Sequence, residues 1–303
     1  MKTDIYTTPD VFDLLANEWN LLLRRSATNT LFLTREWQKV WWQGLGEGDL
    51  RVLTMRDDAG QLAGIAPLFF SSGEISGAQV AFVGCREVSD YLDFIFERGQ
   101  EPACLEALLD HLAGDDCPAW REIGLCNIPE TSPTLSVLPA MAAARGWQVE
   151  THFEDVCPIV ELPATFDDYL SMLDGKERRE LTRKLRRASE DVALVFAQDA
   201  GALDRDMDDF IRLMMASMPS KAAFMTPRMN RFFHMAARAM FEAGWLELSF
   251  LEVNGDRAAT YLNFVYDNVV LVYNSGLDPQ KYAYLSPGQV LLGRLIEKAI
   301  QDC

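Results

Sequence analysis

The sequence predicts a mixed α/β fold, an α+β arrangement in which largely antiparallel strands are flanked by helices. Three observations carry that prediction. The chain has 303 residues, enough for two domains or one large one. Stretches with helical recurrence of apolar residues are interleaved with short β-rich runs. The stretch "WLELSFLEVNGDRAATYLNFVYDNVVLVYNSG" reads as three antiparallel strands in succession. Asn254-Gly255 favours a type I′ hairpin there, and Tyr266-Asp267-Asn268 marks a second reversal.

Taken in order, Phe12, Leu15, Trp19 and Leu22 or Leu23 recur at helical spacing and predict a helix over residues 9–25. "TREWQKVWWQGL" predicts a second, with Thr34 as its N-cap. "RVLTMRDDAGQLAGIAPLFF" reads as strand, turn, strand, and "AQVAFVG", "YLDFIFE" and "WREIGL" as further short strands. Helices are expected near 101–113 and 133–145. Beyond Pro158–Pro163, "TFDDYLSML" predicts a short capped helix, "KERRELTRKLRR" a basic helix and "DVALVFA" a strand. Helices near 203–217 and 228–243 precede the three-strand meander, and "SPGQVLLGRLIEKAIQ" follows it as a last helix. The acidic-Gly hairpins "TMRDDAGQLAGIAPL" and "FLEVNGDRAATYLNF" share a loose likeness, the only trace of internal duplication.

Composition narrows the function classes. A net charge of −17 opposes broad binding to nucleic acid or an anionic membrane, so any anion site must be local. The cysteines at 85, 104, 117, 126, 157 and 303 contain no Cys-x-x-Cys pair, which predicts reduced thiols in a cytoplasmic protein. His111, His152 and His234 are scattered, so no metal centre is expected. The start "MKTDIYTTPD" has no signal-peptide pattern, and the apolar run "LAGIAPLFF" is too short to span a bilayer.

Two segments look like sites. In "SPGQ", Ser286 suits an N-cap, Pro287 the first helical position and Gln289 the closing residue of a capping box. Gly288 leaves the first turn bare, and free amides at a helix start attract anions. A well-capped structural helix is the alternative. The second segment, residues 176–187, carries seven basic and two acidic side chains, leaving −22 on the rest of the chain. At 100° per residue Lys176, Arg179, Arg183 and Arg187 form one stripe with Arg186 beside it, and Leu181, Leu185 and Ala188 lie opposite. Glu180–Lys184 is a supporting pair worth about 0.2–0.5 kcal/mol. The stripe either answers the acidic surface or grips a phosphate. Met214, Met215, Met218, Met225 and Met229 read as flexible core.

Strands followed by such a helix resemble the GNAT acyltransferase fold. More specifically, "LFLTREWQKVWW", "GIAPLFF", "SDYLDFIF", "CPIVELPATFDDYLSML", "KERRELTRKLRR", "FMTPRMNRFF", "GWLELSFLE" and "YNSGLDPQKYAYLSPGQVLL" are similar to the Fem-like, CelD-type (cellulose-biosynthesis-associated) acetyltransferases. The likeness runs from about residue 20 to 300. It implies two tandem GNAT-like modules, residues 1–157 on the acceptor side and 158–303 holding acetyl-CoA or another acyl-CoA. The common Gln/Arg-x-x-Gly-x-Gly/Ala phosphate loop is absent, with "SPGQ" in its place. The resemblance also implies a further strand, so the second module is expected to be truncated.

The implied reaction is direct attack of an amine or hydroxyl on the thioester, without a metal. Ser286, Pro287, Gly288 and Gln289 would bind the cofactor, and Tyr273, Asn274 and Ser275 would lie near the thioester. Asp90 and Tyr91 would serve acceptor or base roles. Lys221, Phe224, Arg179, Arg183 and Arg187 are candidates for acceptor or phosphate contacts. An ordinary structural role is the alternative for each. The expected acceptor is a sugar, a polysaccharide precursor or a peptide. The competing readings are a non-catalytic scaffold in envelope polysaccharide synthesis and aminoacyl transfer from tRNA.

Overall fold

The computed structural model describes residues 1–71, 78–85, 87–188 and 192–302. The chain divides into two compact units, Met1–Cys157 and Pro158–Cys303. Each has mixed α/β architecture with a sheet flanked by helices. Among the described residues, no helix is long and apolar enough to cross a membrane.

The first unit runs β1 (Lys2–Tyr6), α1 (Val11–Leu14), α2 (Trp19–Arg25), a 3₁₀ turn (Leu31–Leu33) and α3 (Arg35–Leu45). Then follow β2 (Asp49–Arg56), β3 (Leu62–Ser71), β4 (Ala78–Phe82), β5 (Ile95–Phe96), α4 (Glu101–Ala113), β6 (Trp120–Gly124) and α5 (Pro133–Ala144). Strand order is β1-β2-β3-β4-β6, with β5 also on β3; among the described residues, only β4–β6 is parallel. β3 is buried along nearly its whole length. Pro67 is tolerated in it because β4 leaves the ladder at Phe82, and the Val83 amide donates to the Pro67 carbonyl instead. Thr34 caps α3 as expected, its hydroxyl accepting from the Trp37 amide.

Three local expectations fail in this unit. The helix over 9–25 breaks into two, because Ala16 and Glu18 donate to carbonyls three residues back instead of four. β1 is new: its "KTDIY" pattern is short and half-exposed, and only pairing with β2 defines it. The strand "YLDFIFE" shrinks to Ile95–Phe96. The Leu92 amide leaves the sheet for the Asn127 carbonyl, and Asp93 turns its carboxylate onto the Phe94 amide.

The expectation of reduced cysteines also needs correcting. Cys85 and Cys126 form a disulfide with Cα atoms 6.3 Å apart. β4 and β6 are parallel neighbours, so both chains leave the sheet at the same end and bring together thiols 41 residues apart. Cys104, Cys117 and Cys157 are free, and Cys303 lies outside the described residues. Burial, then nearby Glu101 and Glu97, push the Cys104 thiol up to about 12.

The second unit comprises α6 (Phe166–Met172), α7 (Gly175–Arg187), β7 (Val192–Phe196), α8 (Leu203–Ser217), α9 (Pro219–Phe224) and α10 (Pro227–Glu242). β8 (Leu246–Val253), β9 (Asp256–Tyr266), β10 (Val269–Leu277), a 3₁₀ turn (Ala283–Leu285) and α11 (Pro287–Asp302) complete it. The sheet is antiparallel, in the order β10-β9-β8-β7. Asn254-Gly255 and Asp267-Asn268 have positive φ at both central positions, as type I′ turns require. The first unit's corresponding hairpin closes differently: Asp57 accepts the Ala59 and Gln61 amides around Gly60. α9 was hidden in the sequence, being less than two turns of helix started by Pro219. The methionine run divides: Met214, Met225 and Met229 are buried, while Met215 and Met218 are exposed.

Helices cover both faces of this sheet. Leu185 and Ala188 pack with Leu251, Ala259, Val290, Leu291 and Leu295 in one core. Gly293 lets α7 and α11 approach, since a Cβ there would stand 3.1 Å from Leu181 and 3.2 Å from Leu185. On the other face Arg257 lies 3.9 Å over Phe250 and bonds Asp206 and Asp209 of α8 at 2.6 and 3.0 Å. Tyr282 donates to Asp256 at 2.8 Å, fastening the approach to α11 onto the β8–β9 turn.

Candidate functional site

The richest concentration of site-like groups lies along β10 and at the start of α11. β10 pairs with β9 up to Val272↔Asn263, then resumes at Asn274↔Leu262, leaving Tyr273 as the extra residue of a bulge. Its ring packs 6.0 Å from Phe233 and 5.0 Å from Phe264. Phe224 reaches the same cluster edge-on to Phe233 at 6.2 Å. Gly276 allows the next step: a Cβ there would collide with the backbone of Leu213 and Met214, so α8 can lie against β10 only because this position is glycine.

Lys221 holds the bulge from α9. Its ammonium donates to Asn274 Oδ1 at 2.9 Å and to the Ser275 carbonyl at 2.6 Å. Asn274 Oδ1 also accepts the Ser275 amide at 2.8 Å, so one lysine fixes both the side chain and the main chain. Burial lowers the Lys221 pKa. The Ser275 side chain hydrogen-bonds the hydroxyl of Tyr261, its register partner on β9. Burial raises that phenol and the Ser275 bond opposes the rise. Lys221, Asn274 and Ser275 were singled out from separate segments, and the fold joins them.

The start of α11 differs from the expected capping box. Ser286 adopts the left-handed conformation at φ 53°, ψ 56° because the 3₁₀ turn runs directly into the helix. Its carbonyl accepts the Gln289 and Val290 amides, while its own amide donates to Ala283. Gln289 does not reach back; its side-chain oxygen accepts from Lys184 of α7. Pro287 is buried and has no amide proton. The Gly288 amide makes no hydrogen bond among the described residues. A Cβ at Gly288 would stand 3.0 Å from Leu277, which ties the helix start to the end of β10.

α7 carries its basic side chains much as the stripe predicts. Asp174 caps it, accepting the Lys176 and Glu177 amides at 2.8 Å. Lys184 pairs with Glu180, whose carboxyl it holds below the usual range. Arg179, Arg183 and Arg187 are exposed, and none makes an ion pair among the described residues. Arg183 still acts on Glu180 through space, helping to hold that carboxyl below the usual range. Arg187 instead lies 5.8 Å over the ring of Tyr284.

Asp90 and Tyr91 belong to the first unit. Asp90 is exposed, yet the protein around it raises its carboxyl. Tyr91 packs 6.2 Å from Phe32, and its hydroxyl bonds Cys157; burial first, then that bond, raise the phenol. The strand entry is held by neighbours: Ser89 accepts from Trp37 Nε1 at 2.9 Å, and its carbonyl accepts from Asn127. No group of three metal-ligating side chains gathers among the described residues.

Comparison with known proteins places the second unit. Residues 175–302 match the family model described as Acetyltransferase (GNAT) domain. This GNAT match takes in α7, the four strands and α11. The fold of the whole chain is similar to the crystal structure of FemX, at a TM-score of 0.66 and 12% identity, covering 100% of this chain and 86% of that one. A conserved protein of unknown function from Bacteroides thetaiotaomicron VPI-5482 is similar at a TM-score of 0.51 and 13% identity, over 94% of this chain and 86% of that one. At such identities the likeness is one of fold. No curated protein matches the chain in sequence.

Several contacts of this segment were missed in the sequence: those of Tyr261, Gly276 and Tyr284, and that of Lys184 with Gln289. Gly276 had a readable signal, since a glycine inside a strand run marks a bulge or a close approach. Tyr261 and Lys184 gained their places only through pairing across the sheet and between helices.

Proposed function

We propose that this protein is an acyl-CoA-dependent N- or O-acyltransferase, with acetyl as the acyl group, acting on an amine or hydroxyl of a sugar, polysaccharide precursor or peptide. The observation that carries the reading is the GNAT family match over residues 175–302, the segment that contains the bulged β10 and the start of α11. The residues there suit a coenzyme. The Gly288 amide, free of a hydrogen bond among the described residues, offers a donor to a diphosphate oxygen at the start of α11. The thioester supplies an activated acyl carbon.

The chain's own groups then have defined tasks. Lys221 fixes the bulge, so that Asn274 and Ser275 keep one geometry as the acceptor arrives. The hydrogen-bonded pair of Ser275 and Tyr261 holds a proton between two hydroxyl groups beside β10.

The deciding experiment is calorimetric titration of acetyl-CoA into the wild type and a Gly288→Asp variant, which puts a negative side chain at the proposed diphosphate site. Micromolar binding that the variant loses supports the reading. Absence of binding by the folded wild type defeats it in favour of a non-catalytic scaffold.

A further inference from the structure

The basic face of α7 is a strong local departure from the charge of the protein. Twelve residues carry +5 in a chain of −17, and Arg179, Arg183 and Arg187 close no ion pair among the described residues, Arg183 acting on Glu180 only through space. The helix dipole accommodates cations in the last turn, where Lys184, Arg186 and Arg187 stand. It does not account for Arg183, a turn earlier and equally exposed. A row of unpaired guanidinium groups is suited to bidentate contact with phosphate.

Its position restricts the partner. α7 and α11 touch so that the C-terminal part of α7 lies at the start of α11, where Lys184 reaches Gln289 and Leu185 meets Gly293. Arg187 lies over the ring of Tyr284, two residues before Ser286, and Tyr284 as a residue is 59% exposed. An exposed aromatic ring beside arginines is a stacking platform for a nucleobase next to a phosphate grip. The −22 on the rest of the chain repels an extended polyanion, which favours a small ligand over RNA.

We propose that Arg183, Arg187 and Tyr284 form a seat for the nucleotide end of the acyl donor. The guanidinium groups take its phosphate monoester and the ring of Tyr284 supports its base. The proposal rests on the acyl-CoA reading of α11 and adds a second contact region to it. Arg179, one turn farther along the stripe, lies outside the seat.

The test compares three ligands by calorimetry: acetyl-CoA, its 3′-dephospho form and acetyl-pantetheine. Wild type should bind acetyl-CoA most tightly, with an affinity that falls as salt rises. A double Arg183→Gln, Arg187→Gln variant should weaken acetyl-CoA by roughly tenfold or more, bring it level with the dephospho form, and leave acetyl-pantetheine within about twofold. Tyr284→Ala should weaken both nucleotide ligands and spare acetyl-pantetheine. If wild type binds acetyl-CoA and the double variant binds it equally well, the seat is wrong and the acyltransferase reading stands. Equal weakening of all three ligands also overturns the seat, because it reports a displaced α7. A wild type that binds none of the three removes both proposals. Tight tRNA binding abolished by the double variant replaces the nucleotide seat with an RNA surface.

Discussion

The ammonium of Lys221 stands 2.6 Å from the carbonyl oxygen of Ser275, a bond that spans 54 residues of chain and holds the bulge of β10 in place. Replacing Lys221 by methionine keeps most of its stem but leaves Asn274 Oδ1 and the Ser275 carbonyl without that donor. We expect a loss of about 1–3 kcal/mol in denaturant unfolding. Under the proposed function, kcat should fall more than the acyl-donor KM rises. An unchanged kcat would separate the bulge from the chemistry.

Lys221 also sets a pH dependence. Burial lowers its folded-state pKa below the ordinary 10.5, so in the window between the two values the unfolded chain binds more protons. The burden of burying its charge is fully present below the folded pKa and is relieved as pH climbs toward 10.5. Wild type should therefore gain stability relative to Lys221→Met over that alkaline range, as measured by urea midpoints at several pH values.

Gly276 and Gly288 make a controlled contrast. Alanine at 276 drives its methyl into the backbone of α8, which cannot rotate away, and we expect destabilisation of about 1–3 kcal/mol or more. Alanine at 288 meets the flexible end of Leu277 at 3.0 Å and should change stability by less than about 1 kcal/mol. Thermal melts of the two variants read the difference directly.

Asp93 is a buried carboxyl that accepts from Ser132, from Thr134 at 2.6 Å and from the Phe94 amide at 2.8 Å. Burial raises its pKa despite those three donors. A raised carboxyl stabilises fully below its unfolded pKa, and that contribution is lost as pH rises through the folded value. Asp93→Asn should flatten this part of the stability profile. Ser132→Ala removes both a donor to Asp93 and the cap of α5, and should cost about 1–3 kcal/mol at neutral pH.

The disulfide between Cys85 and Cys126 closes a long loop of the first unit. Reduction, or Cys85→Ser, should destabilise that unit by about 2–4 kcal/mol. Alkylation of the unfolded protein before and after reduction, read by mass spectrometry, should show two additional thiols after reduction.

Local chemistry was legible in the sequence and pairing was not. Asn254-Gly255 and Thr34 announce a turn and a cap because the residues that decide them are adjacent in the chain. β1 is unreadable without β2, and the meeting of Cys85 with Cys126 follows from parallel strands that no spacing reveals. Ser286 shows a different failure. Its surroundings satisfy the capping-box pattern, yet its backbone stands at φ 53° after the 3₁₀ turn and Gln289 accepts from Lys184 instead. At the site, "YNSG" drew notice for itself, but its partner Lys221 could be found only once α9 had folded against β10.

The bulge at Tyr273 has one more effect. Among the described residues β10 is the outermost strand of its sheet, and it exposes Val269, Val270 and Val272, the last at 56%. A straight, valine-rich margin of that kind invites another copy to add a strand and begin an aggregate. The extra residue bends the strand and interrupts the even row of donors and acceptors that such growth needs. The irregularity beside Lys221 thus ends the regular valine edge at Val272 and keeps it four residues long.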